Sequence, residues 1–168
     1  MGLWSALAER AQSLFAVLRR KGLSLLSQPG LALALLVPAW VLLGVFRLLI
    51  LAVPLKYLHR AYGHDIGISS VVPLIDQTQE RRARAVKAAI GIAATYSPWA
   101  VNCYPQALCA RALLAVLGVP HVICFGMRRK NGAVEAHAWV AAGPVAITGG
   151  RGFEDFTVVR AFVSHTFA

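Results

Sequence analysis

Residues 104–148 constrain the fold more than any other part of this sequence. Apolar side chains recur at helical spacing over 104–117, and Gly118 and Pro120 mark the end of that helix. Three strand candidates with turn residues between them follow: His121–Met127, Glu135–Ala141 and Val145–Thr148. A helix followed by an antiparallel meander predicts an α+β fold in which the helix packs on the sheet.

The first third of the chain holds much of the hydrophobic content, which is 58% overall. Residues 2–27 place apolar side chains at helical spacing with basic residues between them, a pattern typical of an amphipathic helix. The apolar stretch Leu31–Leu55 is long enough to cross a bilayer, although Arg47 would then lie inside the membrane. We favour two buried helices, at about 31–44 and 45–60, with Arg47 facing outward. Membrane association is the competing interpretation.

The middle of the chain connects this apolar part to the helix and strands. Gly63–Gly67 has the composition of a turn, and Asp76–Thr95 carries the apolar stripe of a further helix. The sequence therefore divides into an apolar helical N-terminal region, residues 1–69, and a core over residues 70–168.

Charge and cysteine content limit the classes of function. Lys and Arg number 17 against 7 acidic residues, and the net charge of +10 favours an acidic partner. The basic residues do not alternate with aromatic ones as a platform for stacking bases requires, so we predict no nucleic-acid partner. The three cysteines are an odd number without a secretory leader before them, which indicates a reducing, cytoplasmic location. No Cys-x-x-Cys or His-x-x-x-His pair occurs, so neither a metal nor a cofactor is predicted.

Cys103 is the candidate nucleophile, because it lies where a loop becomes a helix and Pro105 suits the first turn. The helix dipole favours a thiolate there, and free backbone N–H groups can stabilise an oxyanion. His137 is the candidate base, in a strand whose alternation places His137 and Trp139 on one face. We expect this strand to pack across the helix and to bring the imidazole within hydrogen-bond reach of the Cys103 thiol.

Four short segments carry a family resemblance: Asn-Cys-Tyr-Pro-Gln-Ala-Leu, Leu-Leu-Ala-Val-Leu-Gly-Val-Pro, Phe-Gly-Met-Arg-Arg and Ala-His-Ala-Trp-Val. Together they resemble the leader-peptidase (B) proteins of lasso-peptide biosynthesis, which belong to the transglutaminase-like superfamily. The resemblance covers about residues 70–165, and residues 38–47 are similar to the helical N-terminal region of that family. The fold it implies is a papain/transglutaminase-like core, with a helix carrying cysteine on an antiparallel sheet carrying histidine.

The resemblance implies an intracellular cysteine peptidase with a Cys-His-Asp triad, which removes the leader from a ribosomally made precursor peptide. It also implies two protein partners, a small leader-recognition protein and an ATP-dependent lasso cyclase. The N-terminal third shows no strands of a recognition module, so we expect that module on a separate chain. The expected location is the cytoplasm, with peripheral contact to the inner face of the membrane as the alternative.

The sequence departs from the family pattern at the third triad residue. The family acid usually follows on the strand after the histidine, but residues 144–150 contain no carboxylate. Asp155 is the nearest acidic candidate, with Glu154 beside it. Thr148 or a backbone carbonyl could orient His137 instead, since triad logic requires only an acceptor for its second N–H.

The other two cysteines differ from Cys103 in their expected role. We expect Cys109 and Cys124 to serve packing, and Trp139 to form a wall of the site or part of the core. An acyltransferase or amidase of the same superfamily would use the same pair, Cys103 and His137. A membrane-associated scaffold without enzymatic activity would need neither residue.

Overall fold

A computed structural model describes residues 30–53, 62–69, 71–150 and 152–164 of the chain. These residues form four α-helices: α1 (Gly30–Ala34), α2 (Leu36–Ala52), α3 (Gln77–Thr95) and α4 (Cys103–Val116). They also form five strands: β1 (His64–Gly67), β2 (Val122–Lys130), β3 (Ala133–Ala142), β4 (Val145–Ala146) and β5 (Thr157–Val163). Because the helices pack on one antiparallel sheet, the predicted α+β class is confirmed.

The sheet has the strand order β1-β5-β2-β3-β4, and all neighbouring strands are antiparallel. The predicted meander is present as β2-β3-β4, with a tight turn at Asn131 and Gly132 between its first two strands. Both turn residues have positive φ angles, 52° and 82°, which suits a two-residue hairpin. The hairpin register places Gly126 opposite His137 and Cys124 opposite Trp139.

The prediction of a turn at Gly63–Gly67 is wrong, because His64–Gly67 forms strand β1. Its partner is β5, a strand that the sequence analysis did not predict, in a register that pairs Asp65 with Phe162. The Asp65 carboxylate also accepts a hydrogen bond of 2.8 Å from Nε of Arg160 on β5. A four-residue segment of mostly exposed side chains becomes a strand here only because a distant strand pairs with it.

Local capping sets the ends of the two helices in the core. At the start of α3, Asp76 accepts from the Gln79 backbone at 2.8 Å and Gln79 accepts from the Asp76 backbone at 3.0 Å, which is a capping box. After α4, Gly118 adopts a φ of 65°, the left-handed conformation in which glycine is favoured beyond a helix end. Both helices were predicted within two residues of their ends.

The predicted break near residue 44 is absent, because Leu36–Ala52 forms one continuous helix. The interruption lies at Leu35 instead, and Pro38 falls in the first turn of α2, where a missing N–H costs no intrahelical bond. Residues 54–60 of the second predicted helix, and the amphipathic helix expected over 2–27, lie outside the described residues. Among the helices of the described residues, none is long and apolar enough to cross a bilayer.

One hydrophobic core joins α2, α3 and α4 to one face of the sheet. Its fully buried members come from every layer: Leu43 on α2, Val86 and Ile90 on α3, Leu114 on α4, and Ile123 and Val140 on the sheet. Strand β3 contributes alternate residues, Ala138, Val140 and Ala142, to this core. The residues that alternate with these three along β3, including His137 and Trp139, therefore point to the opposite face of the sheet.

Candidate active site

Cys103 is the first residue of α4, and Asn102 before it has the extended conformation of a helix N-cap. Pro105 is buried in the first turn of the helix, where its fixed φ angle suits the helix and its missing N–H is not needed. The thiol of Cys103 is partly exposed, and the first backbone N–H groups of a helix have no intrahelical acceptor. These N–H groups can donate to an oxyanion that forms on a carbonyl bonded to the sulfur.

Helix α2 holds the loop that leads into Cys103. Nη1 of Arg47 donates a hydrogen bond of 2.8 Å to the carbonyl oxygen of Ala100. In the same loop the Trp99 ring packs on Trp40, with 4.9 Å between ring centroids. A Cβ added at Gly44 would lie 3.1 Å from that Trp99 ring, so the glycine permits the close approach. The N-terminal region thus positions the residues just before the nucleophile.

His137 is held in β3 by a backbone acceptor. Its Nε2 lies 2.9 Å from the carbonyl oxygen of Gly149. A carbonyl only accepts, so Nε2 carries the proton and Nδ1 is the basic nitrogen in the neutral ring. The ring stacks with Trp139 at 6.1 Å and 24° and packs against Phe156 at 5.0 Å, which confirms the predicted alternation along this strand.

Cys103 and His137 line one cavity of about 540 Å³. Within the part of the chain that the structure describes, the thiol and the imidazole form no hydrogen bond with each other, in contrast to our expectation. The reason is the alternation along β3, which turns the ring toward Gly149 while Ala138 faces the helices. Both residues line the cavity, but the imidazole points to the face of the sheet away from α4, so a hydrogen bond between them requires the ring or the strand to move.

A comparison with known protein families shows the superfamily of this chain. The sequence model of the Transglutaminase-like superfamily matches residues 46–161, more than half of the chain. This chain belongs to the transglutaminase-like superfamily. No curated protein and no solved structure matches it. The superfamily generally acts through a cysteine, and the matched range includes both Cys103 and His137.

The superfamily match begins inside α2, upstream of the boundary that we predicted at residue 70. Helix α2 contacts both α3 and α4 in the core, and Arg47 lies within the matched range. The role of Arg47 in holding the loop before Cys103 was not predicted from the sequence. A single cation inside a long apolar stretch was the available signal, since such a charge normally requires a specific partner.

Asp155, the predicted acid of the triad, pairs with Arg128 in this transglutaminase-like chain. The distance between Asp155 Oδ2 and Arg128 Nη1 is 3.3 Å, and 70% of the Asp155 side chain is exposed. The acceptor at His137 Nε2 is the Gly149 carbonyl, one of the alternatives that the sequence left open. Asp155 as the triad acid stays a prediction from the sequence, and the structure supports the Gly149 carbonyl as the competing assignment.

The other two candidates for the orienting group have partners of their own. Thr148 Oγ1 accepts a hydrogen bond of 3.1 Å from the Val140 backbone and is buried. Glu154 Oε2 accepts one of 3.1 Å from the Gly152 backbone. The Gly149 carbonyl carries no sequence signal, because every residue has one.

A second, polar cavity of about 440 Å³ lies on the Gly149 side of His137. Arg128 lines it, donates to Glu135 Oε2 at 2.7 Å and places its guanidinium 4.4 Å above the Phe156 ring. Arg128 was not among the site residues predicted from the sequence. Its pairing with Glu135 follows from the hairpin turn at Gly132, because these residues lie opposite each other across β2 and β3.

Cys109 and Cys124 lack the properties of a nucleophile. Burial raises the pKa of Cys109 to about 12 and that of Cys124 to about 11. Cys109 is fully buried, with its sulfur 3.6 Å from the Ala39 carbonyl oxygen. Among the residues described by the structure, no group of three or more His, Cys, Asp or Glu side chains could hold a metal ion.

Proposed function

We propose that this chain is the leader peptidase of a lasso-peptide pathway, a cysteine peptidase with Cys103 as nucleophile and His137 as base. One observation carries the proposal. A transglutaminase-like chain places a partly exposed cysteine at a helix N-terminus in the same cavity as a histidine whose Nε2 is held by a carbonyl. The choice of leader removal, among the reactions of the superfamily, rests on the resemblance to the B proteins.

The proposed reaction proceeds in two steps. The first step requires the His137 ring to move from the Gly149 side of β3 toward Cys103. There the imidazole takes the thiol proton, the Cys103 sulfur attacks the scissile carbonyl, and the backbone N–H groups of α4 stabilise the oxyanion. The imidazolium then donates its proton to the leaving amine, which frees the core peptide and leaves the leader as a thioester on Cys103. In the second step water attacks the thioester with His137 as base, and the leader acid and the thiol are regenerated.

The direct test incubates the full chain with a candidate precursor peptide, chosen from small open reading frames near its gene, with mass spectrometry as the readout. We expect two products, the leader with a free carboxylate and the core with a new N-terminus. Cys103→Ala should give neither product, whereas Cys109→Ala and Cys124→Ala should give both. Full cleavage by Cys103→Ala would disprove the assignment of the nucleophile.

The same assay distinguishes the peptidase from an acyltransferase. A transferase would resolve the thioester with an amine in place of water, so that the leader would carry an amide and a larger mass. We therefore propose to repeat the reaction with a small primary amine in excess. A leader recovered only as the acid supports hydrolysis, and a leader recovered as the amide supports transfer.

We propose three partners: the precursor, a separate leader-recognition protein and the ATP-dependent lasso cyclase. A leader-recognition protein would raise the effective concentration of the scissile bond at Cys103, so cleavage should be slow without it. The net charge of +10 would assist encounter with an acidic partner, so the assisted rate should fall as salt exceeds about 0.15 M, where the Debye length is about 8 Å. Equal, salt-independent rates with and without the recognition protein would contradict this proposal.

The proposed location is the cytoplasm, where the ribosomally made precursor and reducing conditions are both present. The three free thiols of the described residues are compatible with it. Contact of the apolar N-terminal region with the inner face of the membrane is the alternative. Fractionation of the native cell separates the two, because a cytoplasmic protein stays in the supernatant, whereas a peripheral protein sediments with the membrane before any salt wash.

A further inference from the structure

The cavity that holds Cys103 is walled almost entirely by apolar side chains. Phe125 and Met127 come from β2, Val159 and Phe162 from β5, and Tyr104 from the first turn of α4. The aromatic rings pack on each other, with 5.8 Å between the centroids of Tyr104 and Phe125 and 6.0 Å between those of Phe125 and Phe162. Packed aromatic rings and aliphatic side chains therefore form an apolar wall in the cavity that Cys103 also lines.

The lining of this cavity contains one charged side chain of the described residues, and that side chain is already in an ion pair. Arg160 is its only Asp, Glu, Lys or Arg side chain among the described residues, and Nε of Arg160 donates 2.8 Å to the Asp65 carboxylate. Tyr62 contributes a phenol whose pKa burial raises to about 12, so the group stays neutral at ordinary pH, and its hydroxyl bonds to that of Tyr104. A charged substrate group would lose its hydration here without gaining an ionic partner.

We infer that this cavity binds a bulky apolar side chain of the substrate, on the acyl side of the bond that is broken. The inference rests on the proposed function and adds a substrate class to it. The acyl side is indicated because Cys103, which becomes bonded to that part of the substrate, lies in the cavity wall. A volume of about 540 Å³ lies in the range of pockets that bind small organic ligands, and accommodates a Leu, Met or Phe side chain with the adjoining backbone.

The polar cavity on the Gly149 side of His137 differs from the apolar cavity in its charged lining residues. Arg128 and Glu135 line that cavity and Cys103 does not, so the acyl group on sulfur has the apolar surface beside it. Selectivity for apolar side chains is then built into the position of the nucleophile. The residues that determine it are Phe125, Met127 and Val159.

The test uses short peptide electrophiles that alkylate an active-site thiol and differ only in the side chain next to the reactive group. The purified full chain reacts with probes carrying Leu, Phe, Ala, Glu or Lys, and intact mass measures the rate of labelling. We expect Leu and Phe probes to label Cys103 about 50-fold faster than Ala, and the charged probes to react more slowly still. If no probe labels Cys103, the proposed function fails; if all label it at one rate, the function stands and this inference is wrong.

A substitution in the cavity wall gives a second readout that damage to the fold cannot mimic. Met127 is 47% exposed, so Met127→Glu places a carboxylate in the cavity without burying it in the core. We expect the Leu probe to lose about tenfold in rate and the Lys probe to gain by a similar factor. The matched control is Val134→Glu, on the same hairpin but outside the cavity and 63% exposed, which should keep the wild-type order. An unchanged order of probes in Met127→Glu would overturn the inference.

Discussion

His137 Nε2 and the carbonyl oxygen of Gly149 lie 2.9 Å apart, and this hydrogen bond fixes the tautomer of the proposed base. A triad acid would perform the same task with a charge, which a carbonyl lacks. The carbonyl is positioned by backbone geometry, since Gly149 has a φ of 106° and a Cβ there would lie 2.5 Å from Cβ of Trp139. The chain thus orients the imidazole through a glycine that no other residue can replace without strain.

This arrangement predicts a small effect of removing the Asp155 charge. Asp155→Asn should lower kcat by no more than about threefold, because Asp155 pairs with Arg128 and the Gly149 carbonyl remains at Nε2. His137→Gln should abolish turnover. Steady-state kinetics on the precursor measure both, with Glu154→Gln as the control for loss of a neighbouring charge. A fall in kcat of about 100-fold or more in Asp155→Asn would instead make Asp155 the triad acid.

The three thiols should differ sharply in reactivity toward iodoacetamide. At pH 8 a thiol with a pKa of about 11 is ionised in roughly one molecule in 1,000, so Cys124 should react slowly, and Cys109 more slowly still. Cys103 is partly exposed in an open cavity and should take up the label first. Peptide mapping of briefly treated native protein measures this order, with urea-unfolded protein as the control. Equal labelling of Cys103 and Cys124 in the native state would contradict it.

Loss of Arg47 should impair activity beyond its effect on stability. Arg47→Ala removes the 2.8 Å hydrogen bond to Ala100, which should lower the free energy of unfolding by about 1 kcal/mol and kcat by about tenfold. Arg82→Ala is the matched control, because Arg82 Nη1 donates 2.9 Å to the Leu117 carbonyl at the other end of α4. Urea denaturation should show similar destabilisation in both variants. Kinetics should show the tenfold fall in kcat in Arg47→Ala only. Equal kcat values would mean that the loop before Cys103 does not depend on Arg47.

Buried His121 should make the protein less stable in mild acid. Burial lowers its pKa below 6.5, opposed in part by the hydrogen bond of Nδ1 to the Val119 carbonyl, and Arg111 nearby adds to the lowering. Between these two pKa values His121 is protonated in the unfolded chain and neutral in the folded chain. The folded state therefore loses stability as pH falls from about 6.5 toward the pKa of folded His121. The slope should approach but not exceed about 1.4 kcal/mol per pH unit for this one group.

His121→Asn separates this effect from the other titrating groups. The asparagine amide can take the place of Nδ1 as donor to Val119 but does not titrate, so its stability curve between pH 7.5 and 5 should be flatter than that of the wild type. Urea denaturation at each pH gives the two curves. Parallel curves would show that His121 does not control the acid sensitivity.

How far the sequence predicted the structure depends on how local the relevant interactions are. The ends of α3 and α4 were predicted because capping by Asp76 and the left-handed Gly118 act within a few residues. Strands β1 and β5 were missed because their partners lie far away in sequence: β1 pairs with β5, as Asp65 does with Phe162, and β5 pairs also with β2. Pairing between distant segments leaves no periodic trace in either one.

In the candidate site, too, the residues that follow local patterns were predicted and those placed by distant segments were not. Cys103 at a helix start and His137 in an alternating strand are local patterns, and both residues line one cavity, although the imidazole is turned toward Gly149 and not toward the thiol. Which acceptor holds the imidazole could not be predicted, because the Gly149 carbonyl is a backbone group placed by the turn after β4. The apolar wall beside Cys103 includes β5 residues, so it was hidden together with that strand.

The place of β5 in the sheet also bears on how the protein is made. This last strand of the described chain lies between β1 and β2, so a nascent chain cannot complete the sheet until residue 163 has left the ribosome. Until then the long hairpin of β2 and β3 exposes an unpaired edge, which invites pairing with other chains. The cavity wall forms at the same late stage, because Val159 and Phe162 belong to it. A partly synthesised chain would therefore be unable to process a precursor, and activity would begin only after synthesis has passed this strand.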